Sequence, residues 1–366
     1  MTGLYIHIPF CRHKCRYCDF VSFEGCESYV EGYLASLRRE AELYRNEKID
    51  TIFIGGGTPS YLCATHLNNL AGMCFDMFDV AEKYEFTIEV NPGTLSDEKI
   101  TAMLEGGVNR VSVGVQSFND DELKAVGRIH SAELAYNTIC HLKKMGFSNI
   151  SIDLMTALPQ QTKETLKSTL NTAVSLPVNH ISAYSLIIEE NTPLGLEYAQ
   201  GKLRLPDENE DREMYEYTVE FLDRHGFAHY EISNFARGGF ECRHNIKYWT
   251  GERYIGIGVA AHSYTGSERL YNTSDLKKYL AGDMGKETVY LTEKDQISEF
   301  IITGLRMNAG ISAAEFCDRF GRDIKEIYPK EIEKFIRYGL LRYEKGRYFL
   351  TLKGINLSNA VLCEFV

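Results

Sequence analysis

The sequence LYIHIPFCRHKCRYCDF, residues 4–20, joins a strand-like apolar segment to three closely spaced cysteines. Cys11, Cys15 and Cys18 follow that segment with the spacing C-x3-C-x2-C. Iron–sulfur clusters are held by cysteine thiolates, and a [4Fe–4S] cluster takes four of them. Three protein ligands therefore leave one iron open to bind and activate another molecule, which is typical of an enzyme and not of a simple electron carrier.

Structural zinc and chance clustering both remain open as interpretations of the three cysteines on spacing alone. Structural zinc takes four ligands, commonly as two C-x2-C pairs, and no second pair follows, although His13 offers a nitrogen. Chance clustering is open because the chain has 10 cysteines. Disulfides are disfavoured, because the sequence starts directly with a strand-like segment and shows no signal peptide. We expect a cytoplasmic location, with most of the other cysteines buried as small hydrophobic residues: Cys26, Cys63, Cys74, Cys140, Cys242, Cys317 and Cys363.

Composition excludes several functional classes. The chain has 366 residues, of which 44% are hydrophobic, and no segment approaches the length of a membrane span. Its net charge is −11, which argues against nonspecific binding of nucleic acid or anionic membranes through overall charge. The sequence therefore predicts a globular protein with one large domain and an appendage, or with two domains.

Six strand-and-helix units predict a parallel sheet in the first half of the chain. Predicted strands cover residues 4–8, 51–54, 86–90, 110–115, 149–154 and 180–188, and predicted helices cover 29–44, 64–78, 97–105, 131–145 and 163–176. Ser96 is the predicted N-cap of the third helix, and Ser28 with Glu31 resembles a capping box for the first. A doubly wound sheet and a barrel both remain open on this pattern. In either fold, ligands bind where the strands end, and polar or glycine-rich residues follow the strands at Cys11, Gly55–Thr58, Asn91, Gln116 and Pro159.

The last part of the chain changes character. After an acidic helix predicted at 207–224, helices are predicted at 294–307, 313–320 and 324–338, with a hairpin at 340–350 and a final helix after Leu352. This pattern indicates a small winged-helix-like module. Residues 290–366 hold 12 Lys/Arg and 11 Asp/Glu, so we expect a packing or lid role and not DNA binding. The predicted division is 1–235 for the main domain, 236–290 for an extension and 291–366 for the module.

Further motifs follow the predicted strands. Consecutive amides of the Gly55–Pro59 segment can cradle an anion, although a tight turn accounts for it equally well. Glu89 suits a ribose hydroxyl or an amino group, and Arg128 suits a carboxylate. Asp153 is a charge within an apolar strand, and its structural alternative is an ion pair with Arg110 or Arg128.

Taken together, these motifs resemble those of radical S-adenosylmethionine (SAM) proteins, in the branch of oxygen-independent coproporphyrinogen III oxidase. The resemblance rests on residues 5–20, 55–59, 89–92, 114–118 and 153–154, and it extends over nearly the whole chain. It implies a three-quarter (β/α)6 barrel with a [4Fe–4S] cluster whose open iron is chelated by SAM.

The resemblance also implies roles for individual residues. Cys11, Cys15 and Cys18 would ligate the cluster. Tyr5 and Tyr17 would flank the first SAM, Glu89 would contact it, and the stretch 256–260 would line the site. The amino end of the first SAM would be held by Gly56, Gly57 and Thr58, which also border a second site. Positions that hold a second SAM in the oxidase are matched by Gln116, Arg128 and Asp153.

Three features separate this chain from the oxidase and resemble the HemW-type haem chaperones of the same superfamily. The resemblance implies a fourth cysteine in the oxidase loop where this chain has Phe20. It also implies a longer segment before the oxidase loop than the ten residues that precede Cys11 in this sequence. His244-Asn-Ile-Lys-Tyr-Trp249 fits a H-N-x-x-Y-W motif associated with haem binding, in which His244 would supply an axial nitrogen. Taken alone, this motif is better explained as a packed strand edge, given how often His, Tyr and Trp are partly buried.

The resemblance therefore predicts a haem chaperone that binds haem, a [4Fe–4S] cluster and SAM, and that transfers haem to an acceptor protein. The alternatives are a radical SAM enzyme acting on a tetrapyrrole and an electron-transfer or structural protein that binds no SAM. Whether the chain is an enzyme stays open. If it is catalytic, an electron donor such as flavodoxin or ferredoxin is implied. No nucleic acid is expected as a partner, and contact with a membrane is expected only through the acceptor protein.

Overall fold

Six parallel strands follow one another across the sheet in their order along the chain, in a computed structural model that describes residues 1–366. Each strand pairs in parallel with the next. A doubly wound sheet reverses its order at a switch point, and no reversal occurs here. The doubly wound alternative is therefore wrong, and the partial (β/α)6 barrel is confirmed. The strands are β1 (Thr2–Ile8), β2 (Lys48–Gly56), β3 (Asp79–Val90), β4 (Arg110–Gln116), β5 (Asn149–Thr156) and β6 (His180–Ser185).

The connecting helices cover these strands and pack against one another in nearly the same order. Strands covered on both faces are apolar throughout, and Ile6, Ile54 and Ile88 are accordingly buried. Ser96 caps its helix as predicted, by accepting a hydrogen bond from the Lys99 amide. The helices are α1 (Val30–Ala41), α2 (Ala64–Met77), α3 (Asp97–Glu105), α4 (Asp120–Ala125), α5 (Ala132–Met145) and α6 (Lys163–Ser175).

The predicted capping box at the start of α1 is wrong. A short 3-10 turn, Glu27–Tyr29, precedes the helix and contains Ser28. Tyr29 then occupies the N-cap position of α1, with no side-chain hydrogen bond to the helix amides. The extra turn moves Ser28 too far from the first helical amides to cap them.

Residues 186–290 extend the sheet at both edges. β7 (Ala228–Glu231) and β8 (Asn234–Ala236) add antiparallel strands beyond β6. On the other edge β9 pairs in parallel with β1 and is followed by three antiparallel strands, giving a 12-stranded sheet. These strands are β9 (Tyr254–Ile257), β10 (His262–Tyr264), β11 (Glu268–Tyr271) and β12 (Glu287–Tyr290), and the helices of the region are α7 (Pro193–Ala199), α8 (Glu208–Arg224), α9 (Arg243–Trp249) and α10 (Leu276–Leu280).

The C-terminal module has a hydrophobic core of its own, which runs from Ile297 to Phe365 and is separate from the core of the barrel. The helix predicted at 324–338 is divided because Pro329 starts a new helix. The exact domain boundaries stay predictions. The elements are α11 (Glu293–Gly304), β13 (Ile311–Ser312), α12 (Ala313–Phe320), α13 (Ile324–Ile327), α14 (Pro329–Arg337), β14 (Leu341–Glu344), β15 (Arg347–Leu350), α15 (Leu352–Asn356) and α16 (Ser358–Leu362).

Two sequence-based expectations concern the cysteines and the membrane. Only Cys74 and Cys242 of the seven scattered cysteines are buried, so the expectation that most are buried is wrong. All ten cysteines are free thiols. None of the helices has both the length and the apolar character required to cross a bilayer.

Candidate functional site

The three-cysteine loop lies over the carboxyl ends of the parallel strands. Its start is fixed by the Cys11 amide, which donates to the Phe23 carbonyl at 3.0 Å, and by the Phe23 amide, which donates to the Pro9 carbonyl at 2.7 Å. Its middle is fixed by the Arg16 amide, which donates to the Val126 carbonyl at 3.1 Å. The Arg16 side chain donates to the Ala125 carbonyl and pairs with Glu197. The loop is thus anchored to α4 and α7, and its thiols are held toward the end of the barrel.

The three thiols share one pocket with polar side chains from five neighbouring strands, β2 to β6. We call it the cysteine pocket; it has a volume of about 140 Å³. No three His, Cys, Asp or Glu side chains converge as ligands of a single metal ion. Each cysteine of a [4Fe–4S] cluster binds a different iron, so convergence on one point is not required of a cluster site. The pocket is lined by Cys11, Cys15, Tyr17, Cys18, Phe20, Gly56, Gly57, Thr58, Glu89, Asn91, Ser112, Gly114, Gln116, Arg128, Asp153 and Tyr184, among others.

The glycine segment after β2 packs directly against the cysteine loop. The Gly57 and Thr58 amides donate to the Ile8 and Phe10 carbonyls at 2.9 and 2.8 Å. The Gly56 amide donates to Glu89 at 3.1 Å. These amides are therefore already paired, and the expectation that they cradle an anion is wrong. The glycines are needed for close approach, because a Cβ on Gly57 would lie 2.8 Å from the Phe10 carbonyl oxygen.

A chain of hydrogen bonds connects Arg128 to two of the cysteines. Arg128 donates to the Cys15 sulfur at 3.3 Å and to Asn91 Oδ1 at 2.8 Å. Asn91 Nδ2 donates to Thr58 Oγ1 at 2.8 Å, and the Thr58 hydroxyl faces the Cys11 sulfur at 3.6 Å. Asn91 is thus central to the site, although sequence analysis noted only that it follows a strand. Its position in the segment Glu89-Val-Asn-Pro92, directly after a strand, was the feature of the sequence that could have identified it as a site residue.

Two carboxyl groups face the same pocket from neighbouring strands. Glu89 lies beside Ser112 in the register of β3 and β4, and the Ser112 hydroxyl donates to Asp153 at 3.2 Å. Burial and the charge of Asp153 raise the pKa of Glu89 to about 8. Burial also raises the pKa of Asp153, against the opposing hydrogen bond from Ser182 and the charge of Arg110. A pocket with two such groups favours a positively charged ligand, which would restore their ionised forms.

The proposed ion pair of Asp153 is not formed with either arginine. Arg110 is 2% exposed at the opposite end of β4, and its only side-chain hydrogen bond is to Thr87. Arg128 donates to Asn91, to Cys15 and to the Gly114 carbonyl. Asp153 is therefore a pocket-facing acid and not half of a structural ion pair.

Backbone strain marks the end of β4. Gln116 has a φ of +69°, which a non-glycine residue rarely adopts. Its side chain accepts a hydrogen bond from the Tyr184 hydroxyl at 3.3 Å. Strained residues of this kind concentrate at binding and catalytic sites. Both side chains lie in the cysteine pocket, and Tyr184 is a member that sequence analysis missed.

A second pocket of about 540 Å³ lies next to the first, between the barrel edge and the C-terminal module. We call it the aromatic pocket, because rings supply much of its wall. Phe20 lines both pockets. Tyr5, predicted to flank SAM, lies in this wall and not in the cysteine pocket, and of the stretch 256–260 only Ala260 reaches it. Its lining residues are Tyr5, His7, Asp19, Phe20, Val21, Tyr248, Trp249, Gly251, Tyr254, Ala260, His262, Tyr264, Arg269, Glu299, Phe300, Thr303 and Arg319.

His244, the predicted haem ligand, is fully buried in α9 beneath this pocket. Because the motif forms a helix, its interpretation as a packed strand edge is wrong. Its Nδ1 shares a hydrogen bond with the Thr51 hydroxyl at 2.9 Å, and its Nε2 shares one with the Tyr248 hydroxyl at 2.8 Å. Burial and the nearby Lys247 charge lower the pKa of His244 to about 3. Both ring nitrogens are thus engaged, while Tyr248 and Trp249 of the same motif line the pocket.

Comparison with known proteins agrees with this architecture. The radical SAM superfamily model matches residues 5–173, and the HemN C-terminal domain model matches residues 291–357. The structure of coproporphyrinogen III oxidase (HemN) from Escherichia coli, described as a radical SAM enzyme, superposes with a TM-score of 0.86. That match covers 100% of this chain and 89% of the other at 24% identity, and it shows a shared fold.

Sequence similarity to full-length relatives is closer. The heme chaperone HemW of Lactococcus lactis is 40% identical over 368 residues, covering 100% of this chain and 97% of the relative. The heme chaperone HemW of Bacillus subtilis is 39% identical over 376 residues, covering 100% and 99%. At this identity over the full length, the chain belongs to the heme chaperone HemW family of the radical SAM superfamily.

Proposed function

We propose that this protein binds haem, a [4Fe–4S] cluster and SAM, and that it passes haem to an acceptor protein. The observation that carries the proposal is the pair of adjacent pockets that share the Phe20 side chain. One is polar and contains three free thiols, and the other is larger and walled by aromatic rings. The names of the full-length relatives, heme chaperone HemW, support haem as the ligand of the second.

The donor set of the cysteine pocket fits a cluster with one open iron. Cys11, Cys15 and Cys18 would hold three irons, and no fourth cysteine lines the pocket. Glu89 and Asp153 suit the amino group, hydroxyls and sulfonium charge of SAM, and Arg128 supplies a cation for its carboxylate. Tyr17, Gly56, Gly57, Thr58 and Gln116 complete the wall. A reduced cluster supplies an electron that can cleave SAM; the residues of the chain bind the ligand, orient it and exclude water.

Anaerobic reconstitution with iron and sulfide tests the first pocket. We expect the wild-type protein to take up iron and to develop the broad visible absorption of a cluster, and Cys15→Ala to lose most of both. Cys363→Ala removes an exposed thiol from the C-terminal module and is the matched control. Equal iron uptake in the two variants would exclude the three-cysteine loop as the cluster site.

Haem titration tests the second pocket. We expect a Soret band that saturates, with quenching of Trp249, the single tryptophan. For His244 to bind the haem iron, its Nε2 must exchange the Tyr248 hydroxyl for the metal, and the Tyr248 ring must leave its position. If the Tyr248 ring stays in place, His244 does not bind the iron and instead positions Tyr248 in the pocket wall through their hydrogen bond. A protein that gives no saturable Soret band, with or without the cluster, would overturn the haem proposal.

A radical SAM enzyme acting on a tetrapyrrole is the second candidate, supported by the fold shared with coproporphyrinogen III oxidase. Reduced, reconstituted protein incubated with SAM and coproporphyrinogen III distinguishes the two. We expect no decarboxylated product, and its formation would replace the chaperone proposal. The haem acceptor, an electron donor and a cytoplasmic location belong to the same proposal, because the three free thiols need a reducing environment.

A further inference from the structure

The aromatic pocket contains an imidazole that is free to bind a ligand, and it is not His244. His7 lines the pocket, but its ring nitrogens are bonded to the Tyr5 hydroxyl at 3.1 Å and to the Val21 carbonyl at 2.8 Å. His262, on β10, makes no side-chain hydrogen bond and is exposed toward the pocket. Its ring packs edge-on against Tyr271, with 4.5 Å between ring centroids, which restricts its orientation. An oriented imidazole without a partner is suited to ligate a metal.

The pocket also holds one cation without a carboxylate partner. Arg269 is neutralised by Glu299, with two contacts at 2.8 and 2.9 Å. Arg319 of α12 has no carboxylate within ion-pair distance. It donates to the Tyr264 hydroxyl at 3.4 Å, and its guanidinium lies 5.1 Å from the centre of the Phe300 ring. Asp19 is the one remaining charge in the wall. An unpaired guanidinium at an apolar pocket suits a ligand that is largely flat and apolar but carries a carboxylate.

Backbone geometry supports a built site. Ala260, which lines the pocket two residues before His262, has a φ of +55°. The Gly256 amide donates to the Ser263 hydroxyl at 2.9 Å, and a Cβ on Gly256 would lie 2.1 Å from the His262 carbonyl oxygen. The turn between β9 and β10 is therefore tight, and it holds His262 against the barrel edge. The pocket volume of about 540 Å³ lies within the range of cofactor sites.

We propose that the aromatic pocket is the haem site, with His262 as the axial ligand of the iron and Arg319 bound to a propionate carboxylate. This inference rests on the proposed haem-binding function and names its site. It makes the C-terminal module, which carries Arg319, part of haem binding, and it assigns His244 to positioning of Tyr248.

Visible spectroscopy of the full-length protein titrated with haem tests the axial ligand. We expect His262→Ala to lose the wild-type Soret position, and free imidazole to restore it by occupying the vacated place. His141→Ala, which removes a surface histidine bonded to Asp97, is the matched control and should leave the spectrum unchanged. If His262→Ala keeps the wild-type spectrum while His244→Ala loses it, the assignment of His262 is overturned. A wild-type protein that binds no haem would instead overturn the proposed function.

A comparison of haem with its dimethyl ester tests Arg319 independently of His262. A charge-assisted hydrogen bond corresponds to roughly 10-fold or more in affinity, so we expect Arg319→Ala to weaken haem binding by about that factor. Binding of the ester, which has no carboxylate, should be the same in both proteins. Arg322→Ala is the control on the same module, since Arg322 pairs with Glu293 away from the pocket. An equal loss for haem and ester would overturn the propionate contact.

Discussion

Replacement of Gly57 by alanine should dislodge the glycine segment from the cysteine loop. The added Cβ would lie 2.8 and 2.9 Å from the carbonyl oxygens of Phe10 and Ile8 and 3.0 Å from the Phe10 nitrogen. These are backbone atoms of the loop that carries Cys11, so the clash cannot be relieved by a side-chain rotation. The segment has to move as a whole.

The cost follows from the contacts that such a movement breaks. Two backbone hydrogen bonds, from Gly57 to Ile8 and from Thr58 to Phe10, contribute about 1 kcal/mol each. Overpacking adds about 1–3 kcal/mol. We therefore expect Gly57→Ala to lower the free energy of unfolding by about 3–5 kcal/mol. The movement also removes Thr58 from the Cys11 sulfur, so cluster uptake should fall with it.

Urea denaturation followed by circular dichroism, together with iron content after reconstitution, measures both effects. Gly72→Ala is the matched control, because Gly72 is exposed in α2 and a Cβ there meets nothing within 4 Å. That variant should be more stable than wild type by up to about 1 kcal/mol. A Gly57→Ala protein with the stability and iron content of wild type would refute the reasoning that the glycine is required by the cysteine loop.

Three further predictions address single groups in the two pockets. Asn91→Ala removes the hydrogen bonds that connect Arg128 to Thr58 and should increase the rate of iron loss to a chelator several-fold. Asn69→Ala, on the surface of α2, should leave that rate unchanged. Because the folded-state pKa of Glu89 is raised to about 8, the folded protein keeps a proton that the unfolded chain has lost at neutral pH. The free energy of unfolding should therefore fall as the pH rises from about 5 to 8. In Glu89→Gln, denaturation curves should show a smaller dependence of this free energy on pH. Phe20→Ala should bring the ratio of haem dissociation constants with and without SAM closer to one. Leu43→Ala, at a site of similar exposure, should leave that ratio unchanged.

The parallel strands were predictable because burial on both faces makes them continuous apolar runs. Strand segments that are charged or very short do not show this pattern and were not predicted. The first half of β3, residues 79–85, contains four charged residues and was missed, although it continues beside β2. The antiparallel strands β10–β12 are three or four residues long, and nothing in so short a segment distinguishes a strand from a loop.

The site was predictable to the extent that it follows strand ends. Cys11, Gly57, Asn91 and Gln116 are neighbours because carboxyl ends of parallel strands meet at one edge of the sheet. The hydrogen-bond partners and the burial of each side chain were not predictable, since they depend on residues distant in the sequence. The amides after β2 are paired with the cysteine loop, and His244 is enclosed by Thr51, 193 residues away. The aromatic pocket depends on the docking of the C-terminal module against the barrel edge, which no local pattern encodes.

The position of Phe20 gives a physical reason to expect coupling between the two ligands. Its ring forms part of the wall of both the cysteine pocket and the aromatic pocket. Phe20 is 63% exposed, so a ligand that fills either pocket would cover part of its ring. A ligand in either pocket therefore removes apolar surface from water and restricts the same ring for the other ligand. Because binding free energies are reciprocal, a change that SAM makes to haem affinity must be matched by an equal change that haem makes to SAM affinity. The cluster loop can in this way influence haem binding without any chemical step on the haem.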